Sequence, residues 1–168
     1  MNDKLEKSSR QYLTFKLAQE TYALDIDKVR EILDWSRPTR VPRCPDFMRG
    51  VINVRGGVVA VIDLPVKFGM NMTEKSIDTC IIITEITQGD DTVVLGVLAD
   101  SVQEVIDLPP ETIEPAPKIG THLDTECILG IGKRDDNFII ILDINRIFSQ
   151  EELSIVTQET SQECALGA

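Results

Sequence analysis

Apolar and polar residues alternate in short runs along most of this chain, with a period of two rather than 3.6, and that pattern predicts strands. Gln11–Leu17 and Thr21–Ile26 read as two strands joined across Ala18–Glu20. Asp25–Leu33 supports two readings. Ile26, Val29 and Leu33 suit a helical turn, whereas Glu31–Trp35 already looks extended. Ser36–Pro45 holds three prolines and reads as a loop, and Asp46–Arg49 as a single helical turn ahead of the next strand. Val51–Val54 and Val58–Ile62 flank Arg55-Gly56-Gly57, which is hairpin chemistry because glycine supplies the positive φ of a tight turn. A short helix is expected from Asp63 to Phe68, its first carboxylate capping free backbone N–H groups.

After a polar connector over Asn71–Asp78, strands are predicted near Thr79–Ile86, Thr92–Leu98, Val102–Leu108, Ile128–Gly132 and Asn137–Leu142. Residues 1–10 read as a disordered lead-in. From Ser149 onward the pattern gives a short acidic helix, docked through Leu153, Ile155 and Val156, then a loose tail to residue 168. The folded domain is thus expected over residues 11–150.

The chain also repeats itself. Asp27-Lys-Val-Arg-Glu-Ile-Leu-Asp34 is echoed by Asp100-Ser-Val-Gln-Glu-Val-Ile-Asp107. Gly50-Val51, followed by Val61-Ile62-Asp63-Leu64 and Phe68, is echoed by Gly130-Ile131, then Ile141-Leu142-Asp143-Ile144 and Phe148. Two echoes in the same order and at similar separation imply two related β lobes, each a small barrel that closes its own edges. The lobes are expected at roughly 11–70 and 79–150, with exchange of strands or helices between them allowed, and with a cleft between them for a partner helix.

Composition narrows the function. The 168 residues fit one domain, and 42% hydrophobic residues suffice for a core. With 17 basic against 28 acidic residues the net charge is −11, which argues against nucleic acid or an anionic membrane as partner. Cys44, Cys80, Cys127 and Cys164 form no CxxC pair and fit free thiols in a reducing compartment. The polar start MNDKLEKSSRQ lacks a signal-peptide pattern, and apolar runs fall far short of the ~20 residues of a membrane helix. A cytoplasmic protein is the expectation.

Catalytic and metal motifs do not emerge. His122 is the single histidine and offers no metal spacing; no GxSxG, HExxH or P-loop occurs, and Gly130-Ile-Gly132 lacks the rest of a dinucleotide fingerprint. A small thiol enzyme using Cys127 or Cys44 is the alternative from another class, but neither cysteine has a neighbouring base in sequence. Asp63 and Asp143 are read as caps. Glu31 and Glu104 are read either as solvated positions or as polar contacts at the rim of a partner site. Arg55, at the tip of GVINVRGG, is a candidate orienter whose planar fork could pair with Glu31. No cofactor or metal is expected.

Several of these segments carry a family resemblance. Tyr22-Ala-Leu-Asp-Ile-Asp-Lys-Val-Arg-Glu-Ile32, Arg49-Gly-Val-Ile-Asn-Val-Arg-Gly56, Val61-Ile-Asp-Leu64 with Lys67-Phe-Gly69, Val97-Leu-Ala-Asp-Ser-Val-Gln-Glu-Val105, Ile113-Glu-Pro-Ala-Pro117 and Ile139-Ile-Ile-Leu-Asp-Ile144 resemble the CheW family of bacterial chemotaxis coupling proteins. The resemblance spans roughly residues 11–150. It implies a mainly β fold of two SH3-like five-stranded barrels around a shared core, with few short helices. It further implies a non-catalytic scaffold, recruited to membrane receptor arrays, that joins the cytoplasmic tips of chemoreceptors to the histidine kinase CheA.

Val29 and Glu31 would then match receptor and kinase contact positions, Gly50 and Arg55 the strand and turn positions needed for coupling, and Asn53 and Gly56 the rest of the Asn-Val-Arg-Gly element. An apolar groove between the lobes would take the receptor's helical hairpin, and each lobe would pair end-on with a subdomain of the kinase's regulatory domain. A coupler serving a non-flagellar chemosensory pathway fits the same residues. The basic, proline-rich Trp35–Arg43 loop has no counterpart in this resemblance. On this reading Arg55→His or Gly50→Asp would weaken coupling and leave the fold largely intact.

Overall fold

The computed structural model describes residues 10–88, 90–115, 127–134 and 136–156. His122, Cys164, residues 1–9 of the expected 1–10 lead-in and the expected tail beyond 156 lie outside those residues, and Arg10, expected in the lead-in, instead opens the first strand.

Among the described residues, eleven strands form two sheets. The first contains β1 (Arg10–Leu17), β2 (Glu20–Asp25), β8 (Ser101–Leu108), β9 (Ile113–Glu114), β10 (Ile128–Arg134) and β11 (Asn137–Leu142), in the order β8-β1-β2-β11-β10-β9. The second contains β3 (Val29–Asp34), β4 (Met48–Val54), β5 (Gly57–Ile62), β6 (Cys80–Gln88) and β7 (Asp91–Ala99), in the order β3-β6-β7-β5-β4. Both are antiparallel except for one parallel pair each, β11 with β2 and β5 with β7. The fold is therefore mainly β, with two five-stranded units matching SH3-like barrels; the two-residue β9 is an addition to the first.

The second sheet is one continuous stretch of chain, residues 29–99. The first is assembled from the two chain ends, the β1–β2 hairpin closing onto β8–β11. Within that arrangement the sequence repeat is a structural one. β3-β4-β5 and β8-β10-β11 occupy like places, and the register slips at like points, between Met48 and Gly50 and between Ile128 and Gly130. After β5 and β11 the Asp63 and Asp143 amides donate to the carbonyls of Phe47 and Cys127, at 2.7 and 2.8 Å. Short helices α1 (Leu64–Lys67) and α2 (Ile144–Ile147) follow, and a further helix, α3, runs over 150–156.

One ambiguity is settled and two local expectations need correction. The ambiguous Asp25–Leu33 stretch resolves into a 3-10 turn over Ile26–Lys28 and then β3, because each β3 residue alternates between half-buried and exposed. Asp46–Arg49 forms no helical turn; β4 begins at Met48, whose buried side chain joins the core. Leu153 and Val156 dock α3, but Ile155 stays exposed on its far side.

The core is continuous across both sheets. Phe15, Leu17 and Leu24 from the first pack in one cluster with Ile62, Ile82 and Val97 from the second, joined by Ile144, Ile147, Phe148, Leu153 and Val156. Each barrel has its own smaller interior as well: Tyr12, Ala23, Ile106 and Ile141 in one, Ile52, Val61, Ile81 and Leu98 in the other. Each fully buried aliphatic side chain contributes about 1.5–3 kcal/mol by removal from water. The two sheets thus share a common core, as expected for two lobes joined face to face.

Candidate functional site

Four of the residues singled out in sequence, Glu31, Asn53, Arg55 and Gly56, gather at one end of the second barrel. β4 and β5 are joined by the two-residue turn Arg55-Gly56, with Val54 opposite Gly57. Both turn residues have positive φ, +52° and +85°, the combination that matches the twist of a hairpin. Asn53 supports the turn, its Oδ1 accepting from the Gly56 amide at 3.0 Å. The turn holds Arg55 in a conformation that glycine would adopt more easily, and from it the Arg55 guanidinium donates to Glu31 Oε1 at 3.2 Å.

That bond spans the open edge of the sheet. β3 and β4 are its two outer strands, so the Glu31–Arg55 contact closes the barrel where no ladder does. The first barrel has a like clasp between Glu104 of β8 and Arg134 at the end of β10, at 3.2 Å. Arg55 is 82% exposed and Glu31 23%, so solvent screens the pair and its coupling should be below about 1 kcal/mol. A double-mutant cycle on Glu31→Arg and Arg55→Glu, read by chemical denaturation, should show a small favourable coupling and partial rescue in the double variant. Independent, additive losses would mean the two groups do not meet in solution.

Val29 and Gly50 sit differently. Val29 is half-buried and packs against the shared core. Gly50 is buried at φ +146°, and a Cβ there would lie 2.3 Å from the Thr39 carbonyl oxygen. Thr39 and Val51 exchange two backbone hydrogen bonds of 2.8 and 2.9 Å, so the 36–45 loop lies directly against β4 at this glycine. The expectation that Gly50→Asp spares the fold is therefore corrected. Gly50 sets where the loop lies and presents no side chain to a partner.

Sequence reasoning missed the outward face of the same edge. Ile32 is 44% exposed on β3, and Val105, its counterpart in the repeat, is 46% exposed on β8. The two outer strands thus each present one aliphatic side chain, beside the glutamate of a clasp. The period of two along β3 was the available signal: once Val29 and Glu31 face inward, Ile32 must face out. Arg30 on that outer face is paired with Glu85 of the neighbouring strand.

The aspartates at the strand-to-helix corners also divide. Asp143 caps α2, accepting from the Asn145 amide at 3.1 Å. Asp63 makes no cap bond to α1. Its fully buried carboxylate instead accepts from Arg49 at 3.0 Å, from the Thr73 amide at 3.0 Å and from the Thr73 hydroxyl at 2.7 Å. The cap expected there is corrected: a nearby arginine and the connector's threonine are stronger partners for a buried charge than a four-residue helix.

The three described cysteines lie half-buried or buried. Cys44 and Cys127 donate to the carbonyls of Met48 and Arg146, each at 3.5 Å, and burial pushes the Cys80 thiol above its ordinary pKa, opposite to what a nucleophile requires. No group of ligating side chains among the described residues could hold a metal ion, and no described helix is long and apolar enough to cross a membrane.

Two pseudo-equivalent barrels on one core, each with an exposed outer strand, define a protein of the binding-module class, built to present surfaces. The chain belongs to the CheW-like domain family, whose model matches residues 11–152. It is 36% identical over 151 residues to the chemotaxis protein CheW of Klebsiella aerogenes, covering 90% of this chain and 89% of that one. It is 33% identical over 146 residues to the chemotaxis protein CheW of Bacillus subtilis, covering 86% and 90%. Among solved structures, the scaffolding protein TtCheW of Thermoanaerobacter tengcongensis superimposes with a TM-score of 0.76 at 38% identity, covering 85% of this chain and 90% of that one. Membership in this family makes the chain a chemotaxis scaffold.

Proposed function

We propose that this protein couples the cytoplasmic tips of chemoreceptors to the histidine kinase CheA, without catalysing a reaction itself. The observation that carries the proposal is the pairing of like surfaces: Ile32 on β3 and Val105 on β8, each at an outer strand of its own barrel and each near a Glu–Arg clasp. A coupler must engage at least two partners at once, and a duplicated barrel offers two docking edges held rigidly by the shared core. An exposed outer strand with an aliphatic side chain is a ready surface for another barrel's edge.

In this reading Val29, Glu31, Asn53, Arg55 and Gly56 shape the recognition end of the second barrel, and Gly50 fixes the 36–45 loop against β4. The receptor's helical hairpin lies in the apolar groove between the lobes. Weak single contacts suffice, since an array supplies avidity. The working location is the cytoplasm, at membrane receptor clusters.

The test is co-sedimentation of the protein with receptor signalling tips and CheA, followed by kinase assay. Ternary complexes with altered kinase activity are expected. Ile32→Asp and Val105→Asp should each reduce complex formation several-fold while moving the thermal transition little, because both side chains are already in water. Absence of ternary complexes together with unchanged kinase activity would sink the proposal.

A further inference from the structure

The Trp35–Arg43 loop, with the β4 start and the Val66–Lys75 segment, encloses a cleft of about 980 Å³ at the opposite end of β4 from Arg55. Its charge is unlike that of the rest of the molecule. The chain carries −11 overall, yet Arg37, Arg40, Arg43 and Lys75 line this one cleft, against the single acid Asp46. Every other arginine, namely Arg10, Arg30, Arg49, Arg55, Arg134 and Arg146, is paired with a carboxylate. Arg37, Arg40 and Arg43 are exposed and make no ion pair with a described residue.

The cleft is also ordered and partly apolar. The loop is pinned by the Thr39–Val51 hydrogen bonds and by its fit against Gly50. Arg43 is held at φ +65°, a conformation costly for arginine and kept only where surroundings enforce it. Val41 and Met72 line the wall, and Trp35 lies under the Lys75 ammonium, 5.8 Å from its ring centre. A line of unpaired guanidinium forks beside an apolar wall suits carboxylates flanking an apolar side chain.

We propose that this cleft docks a short acidic peptide segment of a partner protein, carrying glutamate or aspartate on either side of an apolar residue. A long polyanion or a lipid surface fits less well, because the acidic remainder of the molecule repels anything extending beyond the cleft. The proposal stands apart from the coupling function, since its test needs neither receptor nor kinase.

Trp35 is the only tryptophan, so its fluorescence reports the cleft directly. The full chain is titrated at low salt with a short capped peptide of glutamates around leucines, with the same peptide bearing lysines instead, and with phosphatidylglycerol vesicles. A saturable spectral change with the glutamate peptide alone is expected, weakening as salt rises. The Arg37→Glu/Arg40→Glu/Arg43→Glu variant should bind roughly tenfold or more weakly, since charge-assisted contacts are the strong ones. Arg40→Gln, a milder change, should give a smaller loss and serves if the triple variant loses its thermal transition. Equal binding by these variants, equal response to the lysine peptide, or a response to vesicles and not to the glutamate peptide would each overturn the proposal.

Discussion

Asp63→Ala is expected to lower the unfolding free energy by roughly 3–5 kcal/mol, the cost of breaking a buried ion pair from one side. The carboxylate is wholly buried, and three donors converge on it: the Arg49 guanidinium, the Thr73 amide and the Thr73 hydroxyl. Removing it strands a largely buried guanidinium (Arg49 is 24% exposed) and two donors of a buried threonine. For a domain of this size the thermal transition should fall by on the order of 10 °C.

The internal control is Asp143→Ala, at the same place in the repeat. There the loss is one cap bond and a solvent-screened pair with the exposed Arg146, together about 1 kcal/mol. Calorimetry on both variants checks the contrast. Equal losses would mean that the Arg49–Asp63–Thr73 cluster adds nothing beyond a cap.

Gly50→Asp should both destabilise the protein and abolish its contribution to ternary complexes. A Cβ at 2.3 Å from the Thr39 oxygen and 2.8 Å from its carbon cannot be accommodated unless the loop backbone moves. Moving it breaks the two Thr39–Val51 hydrogen bonds and shifts the wall of the arginine cleft. Overpacking of this kind costs about 1–3 kcal/mol, to which the positive φ adds about 1 kcal/mol.

Gly56→Ala separates the two terms. Gly56 also has positive φ, +85°, but no atom lies within 4 Å of its absent Cβ, so only the conformational cost remains. Denaturation of both variants, with co-sedimentation, tests this. A Gly50→Asp protein as stable as Gly56→Ala would mean that the loop yields freely, and Gly50 would then be a surface residue after all.

Much of this architecture was legible in the residues themselves. The period-two alternation located nine of the eleven strands among the described residues, because a half-buried strand must alternate. The repeat at Asp27 and Asp100, and at Asp63 and Asp143, announced two related units. The Arg55–Glu31 contact was legible as a pairing of types, since an arginine on a hairpin tip seeks a carboxylate on the adjoining edge. β9 was not legible: two residues carry no period. The Asp25–Leu33 ambiguity was equally real, because three apolar positions fit a helical turn and a strand alike.

By itself, then, the sequence determined strand identity, the hairpin turn and the duplication, all of which rest on local patterns of polarity and on glycine chemistry. Only the tertiary structure decided how the units are assembled. Lobe membership follows hydrogen bonding between distant strands, which places the β1–β2 hairpin with the chain's last strands and joins the two sheets over a common core. Only the tertiary structure, likewise, separated Asp63 from Asp143, and Ile32 from Val29. Each pair is alike in residue type and local pattern, and differs in what the rest of the chain brings against it.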